Sequence, residues 1–497
     1  MNVLPSTWAF RCKRFPDGTI KKLKARFCAR GDKQIEGVDF FETFAPVVNW
    51  QTVRIMLILS LILKLATKQV DYTAAFIHAP IDKDPEWDKL SDDQKAKSGV
   101  FIEMAKGFGE AGKVLKLKKS LYGLKQAPRN FFLHLKSRLE EAGFQQSETD
   151  ACLFVSDKVI CLVYVDDTLL FAPKMEYIDK ALTRIRKTMA LEEEDDVAGF
   201  LGVHIARQDD GTIHMTQKGL TDRIIEALGV AERPSKHTPA EYGCLGSDPD
   251  GDFAQSTYSY PSVVGMLQYL QGHSRPDITF AVSQCARYTH SPKRSHEKAL
   301  ERVGQYLKGT RDKGLILRPT GQNNLKIEAY VDADFAGMWG VESPHDPASI
   351  KSSTGLVIFI SGCPVIWTSK LQTDIATSTM EAEYNALSIA MQDILPLHRL
   401  TKEICTSIGV LEQSKATIKT TVYEDNSGAL TLAKLEPGRM TPRSKHYGVK
   451  YHWFRSQLQP NQIEIEKVES LAQRADMFTK GLRTILFQQN RKLTNGW

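Results

Sequence analysis

The chain has 497 residues and a mass of 55.8 kDa, too long for one ordinary hydrophobic core, so two to four domains are expected. Apolar residues at 42%, charged residues at 25% and aromatics at 9% exclude collagen, coiled coil and bulk disorder. Lys+Arg 65 against Asp+Glu 59 leaves +6, an excess whose meaning depends on where it sits.

It sits in two runs. Nine Lys/Arg fall between Arg11 and Lys33, against Asp17 and Asp32. Phe15-Pro-Asp-Gly18 at the centre of this run is a turn signal and predicts a basic hairpin. Six more basic residues, and no acid, come between Lys113 and Arg129. One such run reads as a solvated face. Two runs interleaved with Phe10, Phe15, Phe27 and Tyr122 favour a phosphate-backbone surface, hence a nucleic-acid partner.

Ile55 to Leu63 is the most apolar stretch, nine residues broken by Ser60. A membrane span needs ~20, so this stretch predicts a buried helix and no membrane partner. Met1 opens without a basic start and apolar block, which argues against a secretory signal. The strand-like Trp8-Ala-Phe-Arg-Cys-Lys13 so near the start suggests a piece of something longer. Eight scattered cysteines without zinc-site spacing fit a reduced intracellular compartment.

Lys68-Gln-Val-Asp71 ends a short strand, with an N-cap as the plain reading of Asp71. In Val159 to Phe171, two β-rich apolar runs flank Asp166-Asp167, so these acids fall at a hairpin tip, where turn chemistry is the plain reading. Glu192 to Asp196 is expected as a solvated turn. The Pro-, Gly-, Ser- and Asp-rich stretch Glu232 to Pro261 is a connecting segment, and Val263 to Leu307 is helical. A turn cluster, Pro319 to Asn324, precedes a second strand-led block.

In that block, Lys326 to Asp334 is a strand ending in Asp332 and Asp334. Leu356 to Ile360 and Val365 to Thr368 read as a hairpin. Ser378-Thr-Met-Glu381 is a capping box opening a helix with apolar positions at Met380, Tyr384, Leu387, Met391 and Leu395. Asp425 ends another strand, with an N-cap as its plain reading, and Asp476 lies on a late helix whose face would ordinarily be solvated. The coarse picture is α+β, then helices, then a second α+β block.

Three carboxylates at strand ends can hold two divalent ions about 4 Å apart for phosphoryl transfer. The motifs agree with that chemistry. Tyr164-Val-Asp-Asp167 resembles the catalytic box of reverse transcriptases. Leu121-Tyr-Gly-Leu-Lys-Gln-Ala-Pro-Arg129, Lys24-Ala-Arg26 with Ala29-Arg-Gly31, and Phe44-Ala-Pro-Val-Val48 resemble the copia-type retrotransposon polymerase, in family order from Trp8 to Ile225. The resemblance implies a right-hand polymerase with Asp71, Asp166 and Asp167 as catalytic metal-binding acids. It also implies Phe76 as an aromatic gate against the ribonucleotide 2′-OH, a core aromatic being the alternative. Lys24, Arg26 and Lys125 become candidates for triphosphate or template contacts. Asp84 to Ser98 departs from the family as an insertion.

Asp332, Glu381, Asp425 and Asp476, in this order, resemble the four metal-binding acids of ribonuclease H, the domain that follows the polymerase in copia-type polyproteins. Met380-Glu-Ala-Glu-Tyr384, Asp425-Asn426, Ser444-Lys-His446 with Tyr451-His452, and Ala475-Asp476 with Thr479-Lys480 carry the match, and Asp334 and Glu383 rank second. His446 and His452 are candidates for substrate phosphate, with surface or core histidines as the alternative. Gly448 stands where the family has an Asp. Tyr260-Pro-Ser-Val-Val-Gly, Arg275-Pro-Asp-Ile and Tyr306-Leu-Lys-Gly-Thr310 resemble the thumb and connection.

The implied architecture is α+β. Fingers and palm cover 1–228, thumb and connection 229–324, and a ribonuclease H-like α/β domain with a mixed sheet 325–497. The implied activity is RNA-directed DNA synthesis with hybrid cleavage. Mg²⁺ is the cofactor, two ions per active site, with Mn²⁺ as the alternative. The partners are an RNA template, DNA primer and product, RNA–DNA hybrid, deoxynucleoside triphosphates and other element-encoded proteins. A cytoplasmic particle or the nucleus is the implied compartment. A silent remnant that only binds nucleic acid, and a nuclease alone, are the competing readings. Absence of Asp-Thr-Gly, of a His/Cys zinc cluster and of a Gly-rich phosphate loop argues against protease, integrase and ATP-driven motor.

Overall fold

Val159–Tyr164 and Asp167–Ala172 are apolar at nearly every position, so the sheet they form has to be covered on both faces. The computed structural model describes residues 2–14, 20–73, 75–81, 89, 91, 98–110, 112–156, 158–194, 199–320, 325–340, 347–409, 418–441, 444 and 449–497. In it these two strands are the middle of an antiparallel sheet. Its order is Leu191–Glu194, Ala66–Tyr72, Asp167–Ala172, Val159–Tyr164, Leu153–Ser156, Gln145–Gln146. Helices Ala127–Glu141 and Met175–Ile185 cover it with Phe131, Leu135, Leu139, Ile178, Leu182 and Ile185. The spacing of Ile178, Ala181, Leu182 and Ile185 is that of one helix face.

The chain divides into two compact units, 1–49 with 66–196, and 50–65 with 197–497. Neither boundary expected at 228 or 324 coincides with that division. Mixed helices and sheets make the protein α+β. In the first unit the basic hairpin is present as strands Ser6–Arg14 and Ile20–Ala29. Arg11 stands opposite Lys24 and Ala9 opposite Arg26, while Trp8 stands opposite Phe27 and Phe10 opposite Ala25. Alternation therefore puts cations on one face and aromatics on the other.

The second unit takes in helix Trp50–Ile62, the apolar stretch expected as a buried helix; residues 52–60 are all buried. Helices Tyr260–His273, Thr279–Ala286 and Arg294–Gly309 fill the region expected to be helical. The C-terminal block is a five-stranded mixed sheet in the order Cys363–Leu371, Ser353–Ile360, Lys326–Asp334, Lys419–Glu424, Ile463–Lys467. Its first three strands are antiparallel and its last three parallel. A parallel pair needs a crossover, and helix Thr379–Ser407 supplies one. Strand Lys326–Asp334, which carries Asp332, is central.

One local expectation is corrected. Glu192 to Asp196 does not begin as a solvated turn: Leu191–Glu194 is an edge strand on Ala66–Tyr72. Lys68 and Arg186 both pair with Glu193, which offsets the poor strand preference of consecutive glutamates. The turn Phe15 to Gly18, residues 195–196 and 321–324, His446, Gly448 and, save Lys89, Ser91 and Ser98, the insertion lie outside the described residues. Among the described residues no helix is long and apolar enough to cross a membrane.

Candidate active sites

Asp71 is the penultimate residue of its strand and Asp167 the first of the next, and the two are register partners. Asp166 lies on the turn between the hairpin strands, and its carbonyl accepts the Tyr72 N–H at 3.1 Å. Val165 beside it has φ 51°, a strained value for a β-branched residue. On the other side of Asp71, Glu192 is its partner. Three acids therefore stand in a row across three strands: Glu192, Asp71, Asp167. Like charges directly opposite one another destabilise a sheet unless cations sit among them. Glu192 was missed because only the register brings it to Asp71. Of the three acids expected there, register brings Asp71 and Asp167 together, and Asp166 adjoins Asp167 at the hairpin turn.

Phe76 lies in the short helical turn Ala75–His78, half-buried between the two apolar clusters of the first unit. Its ring meets Tyr122 edge-on at 5.1 Å and Phe131 at 6.0 Å, and Phe131 meets Tyr72 at 6.3 Å. Arg26 stands 5.1 Å from the Tyr122 ring. Rings thus connect the basic hairpin to the strand of Asp71. Lys24 projects from the cationic face of the hairpin, opposite Arg11. Lys125 is exposed; its Nζ donates to the Gln34 carbonyl at 3.4 Å and lies 4.7 Å from the Phe40 ring.

In the second unit, Asp332, Glu383 and Asp425 each bring a carboxylate oxygen within 4.8 Å of the others. Asp332 is buried on the central strand, and Asp425 follows the parallel strand next to it. Asn426, not Asp425, caps the helix beyond, accepting the Gly428 N–H at 2.9 Å and the Ala429 N–H at 3.0 Å. Glu381 is a correction. Its backbone N–H donates to the Ser378 hydroxyl at 3.2 Å, and its Oε2 accepts the Thr377 N–H at 2.8 Å and the Thr377 hydroxyl at 2.7 Å. Glu381 starts the helix, and Glu383 is the glutamate that reaches Asp332.

Asp476 opens the short helix Asp476–Thr479 and pairs with Lys480 at 2.8 Å. The same Nζ is 3.7 Å from Asp332, whose carboxylate also accepts the Thr479 hydroxyl. Burial first, then the Asp332 charge, pushes Asp476 up to about 7 against the pull of Lys480. Burial raises Asp332 as well. Glu383 is pushed up to about 11, by burial and then by Glu424, Asp332 and Asp425. Glu424 was not singled out in the sequence, where it reads as an ordinary strand residue. His452 is a core histidine whose Nδ1 bonds the Tyr384 hydroxyl at 2.9 Å.

A carboxylate row across three strands and a buried carboxylate cluster are arrangements that could hold the metal ions of phosphoryl transfer. Residues 1–242 match the reverse transcriptase (RNA-dependent DNA polymerase) family. Among the proteins the chain is similar to are retrovirus-related Pol polyproteins of transposons. The retrovirus-related Pol polyprotein from transposon RE2 of Arabidopsis thaliana is 29% identical over 501 residues, 99% of this chain and 32% of that protein. The one from transposon TNT 1-94 of Nicotiana tabacum is 30% identical over 494 residues, 96% of this chain and 34% of that protein. The chain spans about a third of the length of these relatives. A solved foamy viral protease-reverse transcriptase in complex with double-stranded DNA has a TM-score of 0.47 at 12% identity, over 92% of this chain and 64% of that one.

Proposed function

We propose that this chain is an RNA-directed DNA polymerase with ribonuclease H activity, a piece of a copia-type retrotransposon polyprotein. The observation that carries the reading is that each unit gathers acids at strand ends. In the first unit they lie within the family-matched residues, and in the second they converge on a central strand.

The donor sets fit hard divalent cations. Every donor is a carboxylate oxygen, and the buried Glu383 Oε2 has no hydrogen-bond partner. Mg²⁺ suits such oxygens, with Mn²⁺ as the alternative. When bound, the ions activate the attacking hydroxyl or water and stabilise the leaving oxygen. Asp71, Asp166 and Asp167 would hold them for polymerisation; Asp332, Glu383, Asp425 and Asp476 would hold them for hybrid cleavage. Lys24, Arg26 and Lys125 contact the triphosphate or the template. Phe76 sets its ring against the 2′-OH, the group that separates the two sugar types. Lys480 keeps Asp332 and Asp476 from repelling one another.

Primer extension on an RNA template, run beside cleavage of an RNA–DNA hybrid, tests the reading. Both activities are expected with Mg²⁺. Asp167→Asn should abolish extension and spare cleavage. Nucleic-acid binding with neither activity would make the chain a silent remnant, and cleavage alone would make it a nuclease.

A further inference from the structure

Along strand Lys419–Glu424, alternation puts Thr420, Val422 and Glu424 on one face and Tyr423 on the other, where it stacks on Tyr330 at 4.8 Å. The Thr420 hydroxyl bonds His398 Nδ1 at 2.9 Å, so the first face looks onto helix Thr379–Ser407. That helix carries Glu383. Glu424 is 0% exposed and Glu383 4%. One Glu424 oxygen accepts the Asn426 N–H at 2.9 Å; the other has no partner, and neither has Glu383 Oε2.

Charge on the two sides of the cluster is unequal. Lys480 serves Asp332 and Asp476. Among the described residues no Lys, Arg or His forms an ion pair with Glu383, Glu424 or Asp425. A buried carboxyl stays ionised only where it is paired or binds metal, and an apolar side chain of like volume would fill the place of Glu424 without that cost. A hard divalent cation, which takes six or more oxygens, is the kind of partner that such open carboxylate oxygens lack.

We infer that Glu424 is a further acid of the cation site formed by Asp332, Glu383 and Asp425, acting on the side that Lys480 does not serve. The inference rests on the metal reading proposed above. Its test is Mn²⁺ titration of the full chain by calorimetry, following the class of sites that Asp425→Asn removes. Glu424→Gln and Glu424→Leu should each bind Mn²⁺ in that class about tenfold more weakly or worse. In chelator both should melt no earlier than the parent, since a buried carboxyl with an unpartnered oxygen has been removed. Unchanged Mn²⁺ affinity in the Glu424 variants, with Asp425→Asn weakened, overturns the inference and leaves the metal reading standing. Equal binding by the parent and Asp425→Asn overturns the metal reading itself, and this inference with it. Failure of both Glu424 variants to fold would make Glu424 structural and overturn the inference.

Discussion

The Ser378 hydroxyl accepts the Glu381 N–H across the first turn of helix Thr379–Ser407, and the Glu381 carboxylate accepts the Thr377 N–H and hydroxyl. Two residues further on, about 200° around the helix, Glu383 faces the central strand instead. Glu381→Ala should therefore cost about 1 kcal/mol in urea unfolding and leave hybrid cleavage intact. Glu383→Gln should keep the fold and stop cleavage. The opposite pattern would return the catalytic role to Glu381. The Ser-x-x-Glu spacing was legible in the sequence as a cap. Which glutamate turns inward was not, because that depends on where the helix lies on the sheet. Glu424 was illegible for the same reason. Phe76 has a double placement, against the ring chain and against two apolar clusters. Phe76→Ala should admit ribonucleotides, lowering sugar discrimination by about 1–3 kcal/mol in single-nucleotide incorporation. An unchanged sugar preference would assign the ring to packing alone.

Element against element, the second site depends on a glycine. Gly355 is the register partner of Asp332, and a Cβ on it would lie 2.6 Å from Thr479 Cγ2 and 2.9 Å from the Ala475 carbonyl. Helix Asp476–Thr479 can seat on strand Ser353–Ile360 only because that side chain is missing, which is what brings Asp476 and Lys480 to Asp332. Gly355→Val should cost about 1–3 kcal/mol and weaken hybrid cleavage with every acid intact. Full cleavage in a destabilised variant would show that Asp476 is dispensable. The connecting motifs prove to be a buried clamp. Arg275 pairs with Asp277 at 2.8 Å, both fully buried, and Tyr306 and Asn495 donate to Asp277 at 2.7 and 2.8 Å. The motifs of Arg275, Asp277 and Tyr306 stood out in the sequence and Asn495 did not, since nothing local links it to Asp277. Strands made of longer apolar runs, such as Val159–Tyr164 and Asp167–Ala172, were legible. The glutamate-rich edge strand was not, because its pairing with Lys68 and Arg186 overrides local preference.

Across the whole molecule, the family order of motifs places residues 50–62 with the polymerase, yet this helix is built into the unit that holds the C-terminal sheet. Arg54 shows why. It donates to the carbonyls of Val365 at 2.8 Å, His273 at 3.2 Å and Gly272, and its guanidinium lies 4.0 Å from the Trp367 ring. Contacts over such separations leave no mark in a sequence pattern, whereas the boundaries at 228 and 324 follow the order of the family motifs and the turn clusters between them.

The acids of this unit also set its response to pH. Burial is the main cause that raises Glu424 from 4.5 to about 8 and Asp476 from 3.8 to about 7. Between the lower and upper values the folded, metal-free protein holds protons that the unfolded chain has released. Stability contributed by these groups is therefore fully present below about pH 4 and lost as pH rises towards about 8. A bound divalent cation favours the ionised carboxylates and opposes that loss. In chelator, the melting temperature should fall from about pH 5 to about pH 8, and the increment from added Mg²⁺ should grow over the same range. Asp425→Asn should keep the fall in shallower form and lose most of the Mg²⁺ increment. A melting temperature that rises with pH in chelator, or an Mg²⁺ increment independent of pH, would mean that the buried acids do not titrate as a metal-binding set.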